Sequence, residues 1–309
     1  MRVFVTGATG YIGGAVARGL MADGHEVVGL ARSEGSAGRI QDMGATPHLG
    51  DLRDPRSLLE GIKTADAVVH AGFGHDDWSQ MDQSFDQDAA AVHTMLDALE
   101  GSGRSFIYTS GSGVLGDTGP AAADEALLPS GDGGVRLRGE LERIVVDASA
   151  RGVAGTVLRP GLVFGETGGG VMHMLIDMAR RTGAGVTVGE GHNIWSAVHI
   201  GDLALAYRKA LLKHEVGLFN IANDDAFTMH DIASAIGRML GFSGEVKQWP
   251  LEEARSAIGM LADGLASNKR ISADKARNLL DWHPAGPTIT EDIETGSYAT
   301  LGEGARGDD

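Results

Sequence analysis

Short apolar runs of strand length alternate along the chain with segments in which apolar residues recur at helical spacing. The successive runs and helical segments are Arg2–Thr6, Ile12–Ala22, Glu26–Ala31, Ala67–His70, Gln87–Leu99, Ser105–Thr109 and Ala154–Leu158. Such alternation is typical of a parallel sheet with helices on both faces. The pattern therefore predicts an α/β fold built on a doubly wound parallel sheet.

The pattern loosens after Gly161 and divides the chain into two lobes. A glycine-rich loop at Gly165–Gly170 is followed by a helical segment at Val171–Arg181 and then by shorter mixed elements. We expect a sheet domain over residues 1–160, to which parts of 185–225 return, and a smaller lobe mainly over residues 161–301. The polar residues 302–309 have little to bury and are expected to form a flexible tail.

Composition narrows the classes of function. The 309 residues contain 26 Lys and Arg against 42 Asp and Glu, a formal net charge of −16. That charge repels nucleic-acid backbones and anionic membrane surfaces, so neither partner is expected. The chain has no cysteine, which excludes disulfides, thiolate metal sites and a cysteine nucleophile. With no apolar run of membrane-spanning length and no basic leader, we expect a cytoplasmic protein.

The first strand leads into a glycine loop that predicts a dinucleotide site. The loop reads Gly7-Ala8-Thr9-Gly10-Tyr11-Ile12-Gly13 and opens the first helical segment. In this context the first glycine permits a tight turn, the second lets the backbone approach a diphosphate and the third lets the helix pack on the sheet. The helix N-terminus attracts the anion. The unit is typical of a Rossmann-type fold.

The end of the second strand indicates which dinucleotide binds. An acidic residue there would accept the ribose 2′-hydroxyl of NAD, whereas this chain has Arg32 followed by Ser33. Arginine pairs well with a phosphate, and serine can donate to it. We therefore expect NADP(H) rather than NAD(H). The alternative is that Arg32 stacks on adenine or lies in solvent.

Motifs spread over nearly the whole chain resemble the extended, epimerase/dehydratase-like type of the short-chain dehydrogenase/reductase superfamily. Besides the glycine loop, they are Gly50-Asp51-Leu52-Arg53-Asp54, Ile107-Tyr108-Thr109-Ser110, Leu158-Arg159-Pro160-Gly161-Leu162-Val163-Phe164-Gly165, Trp195-Ser196-Ala197-Val198-His199-Ile200-Gly201-Asp202-Leu203-Ala204 and Leu280-Asp281-Trp282-His283-Pro284. The segments around His70, Ser110 and Trp195 are similar to an atypical subgroup of that superfamily.

The resemblance implies further cofactor contacts. Asp51 would hold the adenine amino group and Leu52 its ring edge, although an aspartate at a strand end is also a common turn residue. The remaining implied positions are those along the ribose and phosphate path (Ala71, Gly72 and Phe73), at the end of the fifth strand (Thr109) and beside the nicotinamide (Pro160, Leu162 and Val163).

The catalytic residues depart from the family pattern. Members usually carry a Ser–Tyr–Lys set in which tyrosine transfers the proton. Counting from Gly116, the serine position falls on Gly111, with Ser110 and Ser112 on either side, and the Tyr-x-x-x-Lys window falls on Arg136 to Glu140. We expect Arg136 to bind a substrate oxygen while Glu140 orients it. The alternative is a surface salt bridge between residues one helical turn apart.

A proton donor must replace the missing tyrosine, and histidines are the candidates because imidazole titrates near neutrality. His75, beside Asp76, is the first choice because it follows the fourth strand, at the sheet edge where ligands of such folds bind. His173 and His199 are further candidates, whereas Asp202 more simply caps a helix. No cluster has metal-ligand spacing, so no metal is expected.

The sequence also suggests walls for a substrate pocket. Ser112, Phe164, His173, Trp195 and His199 would line it if the Gly165–Gly170 loop closes over the cleft. The alternative is that Phe164 and Trp195 are ordinary core residues of the second lobe.

These features predict an NADP(H)-dependent oxidoreductase acting on a small organic carbonyl or hydroxyl compound, with His75 or a serine-held water as proton source. An epimerase or dehydratase that uses its bound cofactor transiently, and a dinucleotide-sensing protein without catalysis, remain alternatives. The resemblance also suggests a homodimer formed through the helices near Gln87–Leu99 and Arg136–Ser149.

Overall fold

The computed structural model describes residues 1–74, 81–130, 133–223 and 225–303. Its strands are β1 (Arg2–Thr6), β2 (Glu26–Ala31), β3 (Thr46–Leu49), β4 (Ala67–His70), β5 (Ser105–Thr109), β6 (Ala154–Pro160), β7 (Leu162–Phe164), β8 (Gly185–Val188), β9 (Ile194–His199), β10 (Gly217–Ile221), β11 (Ala226–Thr228) and β12 (Val246–Trp249).

The helices follow the predicted alternation in the first half and crowd together near the C-terminus. They are α1 (Tyr11–Ala22), α2 (Glu34–Asp42), α3 (Pro55–Ile62), α4 (Met81–Leu99), α5 (Gly133–Asp147), α6 (Gly170–Thr182), α7 (Ile200–Lys213), α8 (Met229–Met239), α9 (Leu251–Ile258), α10 (Met260–Ala266), α11 (Asp274–Leu280), α12 (Ile289–Thr295) and α13 (Thr300–Glu303). In the described ranges, no helix has the length and apolar character needed to cross a bilayer.

The main sheet is parallel throughout, with the strand order β10-β6-β5-β4-β1-β2-β3. The chain runs outward from β1 to β3, returns to β4 on the other side of β1, and continues outward to β10. This confirms the predicted doubly wound α/β fold. The reversal leaves a crevice beyond the carboxyl ends of β1 and β4, which is where ligands of such sheets bind.

Separate apolar cores cover the two faces of this sheet. On one face α1 packs with α7, and their contact buries Val16, Leu20, Leu203 and Tyr207. On the other face α3, α4 and α5 bury Leu58, Val92, Leu96, Leu141 and Val145. A further core holds the second lobe together between α6, α8, β9 and α12. Because α7 and β10 join the sheet domain, the chain crosses between the lobes more than once.

Close packing of α5 on β6 yields a stability prediction. A methyl group at Gly155 in β6 would lie 1.9 Å from the carbonyl oxygen of Val145, a backbone atom that cannot turn away. We expect Gly155→Ala to lower the free energy of unfolding by about 2 kcal/mol or more, measured by urea denaturation. Gly38→Ala is the control, since its methyl meets no atom within 4 Å and alanine favours the helix. Equal stability of the two variants would contradict the packing.

Candidate active site

The glycine loop after β1 approaches the end of β4 more closely than side chains would allow. Gly7 has a φ of 70°, and a methyl group on it would lie 2.6 Å from the carbonyl oxygen of Ala71. A methyl group on Gly13 would lie 2.2 Å from the carbonyl oxygen of Gly7. Gly10 caps α1 without a side-chain hydrogen bond, so the first-turn amides of α1 remain available to an anion. This backbone cradle fits a dinucleotide diphosphate.

Residues predicted for the adenosine end lie at the ends of β2 and β3. Arg32 is exposed directly after β2, and the Ser33 hydroxyl oxygen accepts the amide of Ser36 and caps α2. Asp51 forms the turn after β3 and accepts two hydrogen bonds from the Arg53 guanidinium, at 2.9 and 2.8 Å. These bonds hold the pKa of Asp51 below its usual value. Asp51 therefore stabilises the turn after β3, and its binding of adenine remains a prediction.

A buried hydrogen-bond network connects β1 to the neighbouring strands beneath the crevice. The Thr6 hydroxyl lies 2.6 Å from Nδ1 of His70 and accepts the amide of Gly72 at 3.1 Å. Nε2 of His70 lies 3.0 Å from one oxygen of Asp88, and the Tyr108 hydroxyl donates to the other at 2.5 Å. Since the Asp88 carboxylate can only accept, Nε2 of His70 donates to it, and in the neutral imidazole Nδ1 then accepts the Thr6 hydroxyl hydrogen. Each group then has a partner.

Arg138 on α5 adds a cation to this network and faces the crevice. Its guanidinium donates to the carbonyl oxygen of Thr109 at 3.0 Å and lies 4.5 Å from the ring centroid of Phe73. Its Nε is buried without a hydrogen-bond partner. Burial favours loss of the charge, but Tyr108 and Asp88 nearby hold the pKa of Arg138 above its usual value. Arg138 is therefore a permanent cation with spare hydrogen-bonding capacity.

Arg136 and Glu140, our sequence-based catalytic pair, lie elsewhere. They form an ion pair with each other on the outer side of α5, with 61% and 46% of their side chains exposed. The surface salt-bridge alternative fits this geometry, and the two residues do not belong to the buried network. The inward positions of the helix are two residues further along, at Arg138 and Glu142.

The family spacing places a tyrosine four residues before the inward cation, and here that position is Gly134. A methyl group on Gly134 would lie 1.7 Å from the ring of Phe85, which occupies the space of a side chain. Phe85 in turn packs against Phe73, with 5.1 Å between the ring centroids. The absence of the usual acid is therefore built into the packing of α4 against α5.

Ser110 belongs to a second buried polar group, at the end of β5. Its hydroxyl donates to Glu142 at 2.5 Å, and Glu142 accepts two hydrogen bonds from Arg159, at 3.1 and 2.5 Å. Arg159 also reaches Asn220 on the neighbouring strand, at 3.4 Å. Both charged side chains are at most 2% exposed. Because its only hydrogen goes to Glu142, Ser110 can hold a water or substrate only as an acceptor.

Open space lies in front of the family's serine position. A methyl group on Gly111 would meet nothing closer than the Pro160 carbonyl oxygen, at 4.0 Å, and one on Gly113 would meet no atom within 4 Å. Ser112 lies between these glycines and is buried. The described residues therefore place no side chain in the space directly beside these two glycines.

Most of the other residues predicted to line the substrate pocket make contacts that stabilise the fold. His199 is half-buried, and its Nδ1 accepts the amide of Gly201 at the start of α7. Trp195 donates to the carbonyl oxygen of Ser267, and both Trp195 and Phe164 belong to the apolar core of the second lobe. His173 is exposed on α6. His75 and Asp76 lie outside the described residues, so the role of His75 remains a prediction.

Asp202 at the start of α7 fixes a C-terminal segment in place. Its two carboxylate oxygens accept the backbone amides of Ala285 and Gly286, both at 2.9 Å. Its role is structural, but it does not cap α7 as the sequence suggested, because His199 is the N-cap. Among the described residues, no three or more histidine, aspartate or glutamate side chains are grouped so that they could bind a metal ion.

Comparison with known proteins agrees with this geometry. The model of the NAD dependent epimerase/dehydratase family matches residues 3–222. The chain belongs to this family. An uncharacterized protein of Saccharomyces cerevisiae is 33% identical over 95% of the chain and 98% of its own length. A 2-alkyl-3-oxoalkanoate reductase of Stenotrophomonas maltophilia is 31% identical over 67% of the chain and 64% of its own length.

Solved structures show the same fold. UDP-glucose 4-epimerase of Thermus thermophilus, in complex with NAD, superposes with a TM-score of 0.78 and 20% identity, over 98% of this chain and 99% of the other. The match to the family model, together with this fold, confirms the predicted superfamily resemblance. Membership of this family makes the chain an NAD(P)-dependent enzyme of the oxidoreductase or epimerase/dehydratase kind.

Sequence reasoning missed most of the buried polar residues of the site. On α5 the signal was present, because Arg138, Leu141, Glu142 and Val145 follow the i, i+3, i+4, i+7 spacing of an inward helix face. His70 lies at the end of an apolar strand, where sequence cannot distinguish a core histidine from a ligand-binding one.

The network predicts a stability change that depends on pH. Burial raises the pKa of Asp88, but its bonds to His70 and Tyr108 and the charge of Arg138 outweigh this and hold it below the usual value. Its carboxylate therefore stabilises the fold above about pH 4, and this contribution is lost as the pH falls through the lowered pKa. We expect Asp88→Asn to cost about 3 kcal/mol of unfolding free energy at pH 7 and progressively less towards pH 2.

Urea denaturation between pH 2 and 7 measures this difference. Asp86→Asn is the matched control, because Asp86 is exposed on the same helix, and it should change stability by less than about 0.5 kcal/mol. A cost of Asp88→Asn that does not vary with pH would disprove the electrostatic role.

Proposed function

We propose that the protein is an NADP(H)-dependent oxidoreductase acting on a small organic carbonyl or hydroxyl compound. The observation that carries the proposal is Arg138, a half-buried cation that donates to the carbonyl oxygen of Thr109 at the end of β5 and lies over the Phe73 ring after β4, at the sheet edge that also carries the glycine cradle. A cation in this place suits an oxygen that gains negative charge during reduction. The similarity to a reductase of 2-alkyl-3-oxoalkanoates supports a ketone as the substrate class.

The dinucleotide, when bound, supplies or accepts the hydride. The residues of the chain then have to bind the substrate oxygen, stabilise its charge and provide a proton route. Arg138 performs the first two tasks through its spare N–H groups, but arginine does not release a proton near neutral pH. Ser110 and Ser112 at the cleft can hold a water that carries the proton, and His75 remains the alternative donor.

The second candidate is an epimerase or dehydratase with transient use of the cofactor. It is favoured by the Gly165–Gly170 loop, which is hydrogen-bonded to tyrosines from α1 and from the C-terminal segment. A tied loop suits a cofactor that must stay bound between two opposite hydride transfers. A third possibility, binding without catalysis, is favoured by Gly134 in the place of the usual acid.

Turnover assays with matched arginine variants test the main proposal. With NADPH and a panel of ketones and 3-oxo acids, we expect net NADPH oxidation, and we expect Arg138→Met to lower kcat/KM about 100-fold, the effect of losing one charged contact to the developing oxyanion. Arg136→Met on the outer side of α5 should stay within about twofold. Loss of turnover in Arg136→Met alone would restore the sequence-based assignment. Tightly retained cofactor without net oxidation would support the epimerase instead.

Cofactor preference is tested by direct binding. We propose that Arg32 pairs with a 2′-phosphate, which predicts that Arg32→Ser weakens NADPH binding about 10- to 100-fold while NADH binding changes little. Fluorescence titration of both dinucleotides measures this. Arg39→Ser, which removes an exposed cation from the last turn of α2, is the control for general charge effects. Tighter binding of NADH by the unmodified protein would refute the preference.

A further inference from the structure

The loop between β7 and α6 is held in a strained conformation. We call residues Gly165–Gly170 the strap. Its non-glycine residues Glu166 and Thr167 have φ values of 48° and 55°, and Gly165 and Gly169 also have positive φ. A left-handed conformation costs roughly 1–2 kcal/mol per non-glycine residue, and a β-branched threonine adopts it rarely. The strap therefore keeps this shape only because other groups hold it.

Two tyrosines from distant parts of the chain provide those contacts. The Tyr11 hydroxyl donates to the carbonyl oxygen of Gly165 at 2.7 Å. The Tyr298 hydroxyl donates to the carbonyl oxygen of Gly168 at 2.5 Å and accepts the amide of Gly165 at 3.0 Å. Burial raises the pKa of Tyr298 to about 12 and that of Tyr11 further, so both hydroxyls stay protonated and can donate.

Packing and further bonds fix the strap between the lobes. A methyl group on Gly168 would lie 2.1 Å from the Tyr11 ring, so the strap backbone rests directly on that ring. The Thr167 amide donates to the Ser297 hydroxyl at 3.1 Å. An exposed ion pair joins Arg18 of α1 to Glu166, and pairs of this kind contribute little. The two tyrosine hydroxyls and the ring contact are therefore the main anchors.

The contact with Tyr11 places the strap beside the glycine cradle. Tyr11 is the first residue of α1 and follows Gly10 of the diphosphate cradle, while the strap begins directly after β7, whose Leu162 and Val163 are the residues implied for the nicotinamide. We propose that Tyr11 and Tyr298 are positioning residues that hold the strap across the diphosphate-to-nicotinamide half of the site. Release of the dinucleotide then requires the strap to leave the tyrosines. This inference rests on the dinucleotide site proposed above.

Dissociation kinetics test the inference. Tyr11→Phe and Tyr298→Phe keep the rings and remove only the hydroxyls. Bound reduced dinucleotide is displaced by excess oxidised dinucleotide in a stopped-flow instrument, and its fluorescence is followed. We expect each variant to release it about 3- to 10-fold faster, the change expected from losing one or two hydrogen bonds, and the double variant to release it faster than either.

A fragment of the cofactor separates positioning from general loss of structure. Adenosine 2′,5′-bisphosphate lacks the nicotinamide half and would not pass under the strap, so its affinity should stay within about twofold in all variants. If its affinity falls as much as that of the whole dinucleotide, or if the dissociation rates do not change, the inference is wrong. A protein that binds neither ligand would instead refute the proposed site.

Two further variants complete the design. Gly168→Ala leaves every hydrogen-bonding group in place but drives a methyl group into the Tyr11 ring, so it should also accelerate release. Ser256→Ala removes a hydroxyl on α9 that donates to the carbonyl oxygen of Glu252 within its own helix, and should not. Acceleration by Ser256→Ala equal to that of the tyrosine variants would overturn the inference.

Discussion

The close approach of the glycine loop to the end of β4 is the constraint on which the rest of the site depends. The loop can come this close only because Gly7 carries no side chain at the contact, where a methyl group would lie 2.6 Å from the carbonyl oxygen of Ala71. The loop after β1 and the backbone after β4 also need a hydrogen-bonded connection, because they follow different strands. Thr6 supplies it, since one hydroxyl accepts the Gly72 amide and binds His70. The buried hydrogen bonds of Thr6 thus fix the distance between the glycine loop and the backbone after β4.

Those groups place full charges in the interior, and their arrangement explains why the charges are tolerated. Asp88 lies near Arg138, and Glu142 pairs with Arg159, so that each buried anion has a buried or half-buried cation. A buried charge that loses its partner is far more destabilising than an exposed one. The floor of the crevice is therefore locally balanced, although the chain as a whole carries a net charge of −16.

Local patterns in the sequence were sufficient for the fold class and the glycine loop, because both depend on the spacing of neighbouring residues, whereas β3 and β10 were not among the apolar runs that predicted the sheet. Counting from Gly116 with family spacings pointed to Arg136 and Glu140, which are exposed, and not to the inward face of α5. The spacing of Arg138, Leu141, Glu142 and Val145 within the helix is independent of that count and gives the correct face. The role of His199 could not be predicted from any spacing, because a histidine that caps a helix and one that transfers protons look the same in a sequence.

The missing catalytic tyrosine is best understood through packing. If Gly134 were a simple substitution, a tyrosine there would restore the family arrangement, but even a methyl group would overlap the Phe85 ring. Phe85 in turn packs against Phe73, on which Arg138 lies. The glycine, the two rings and the arginine therefore pack as one unit. The Phe85 ring occupies the space that a tyrosine side chain would need, and through Phe73 it supports the Arg138 guanidinium. Under the proposed function, Arg138 stabilises the substrate oxygen from the α5 side, and the proton has to come from a group other than the residue at position 134.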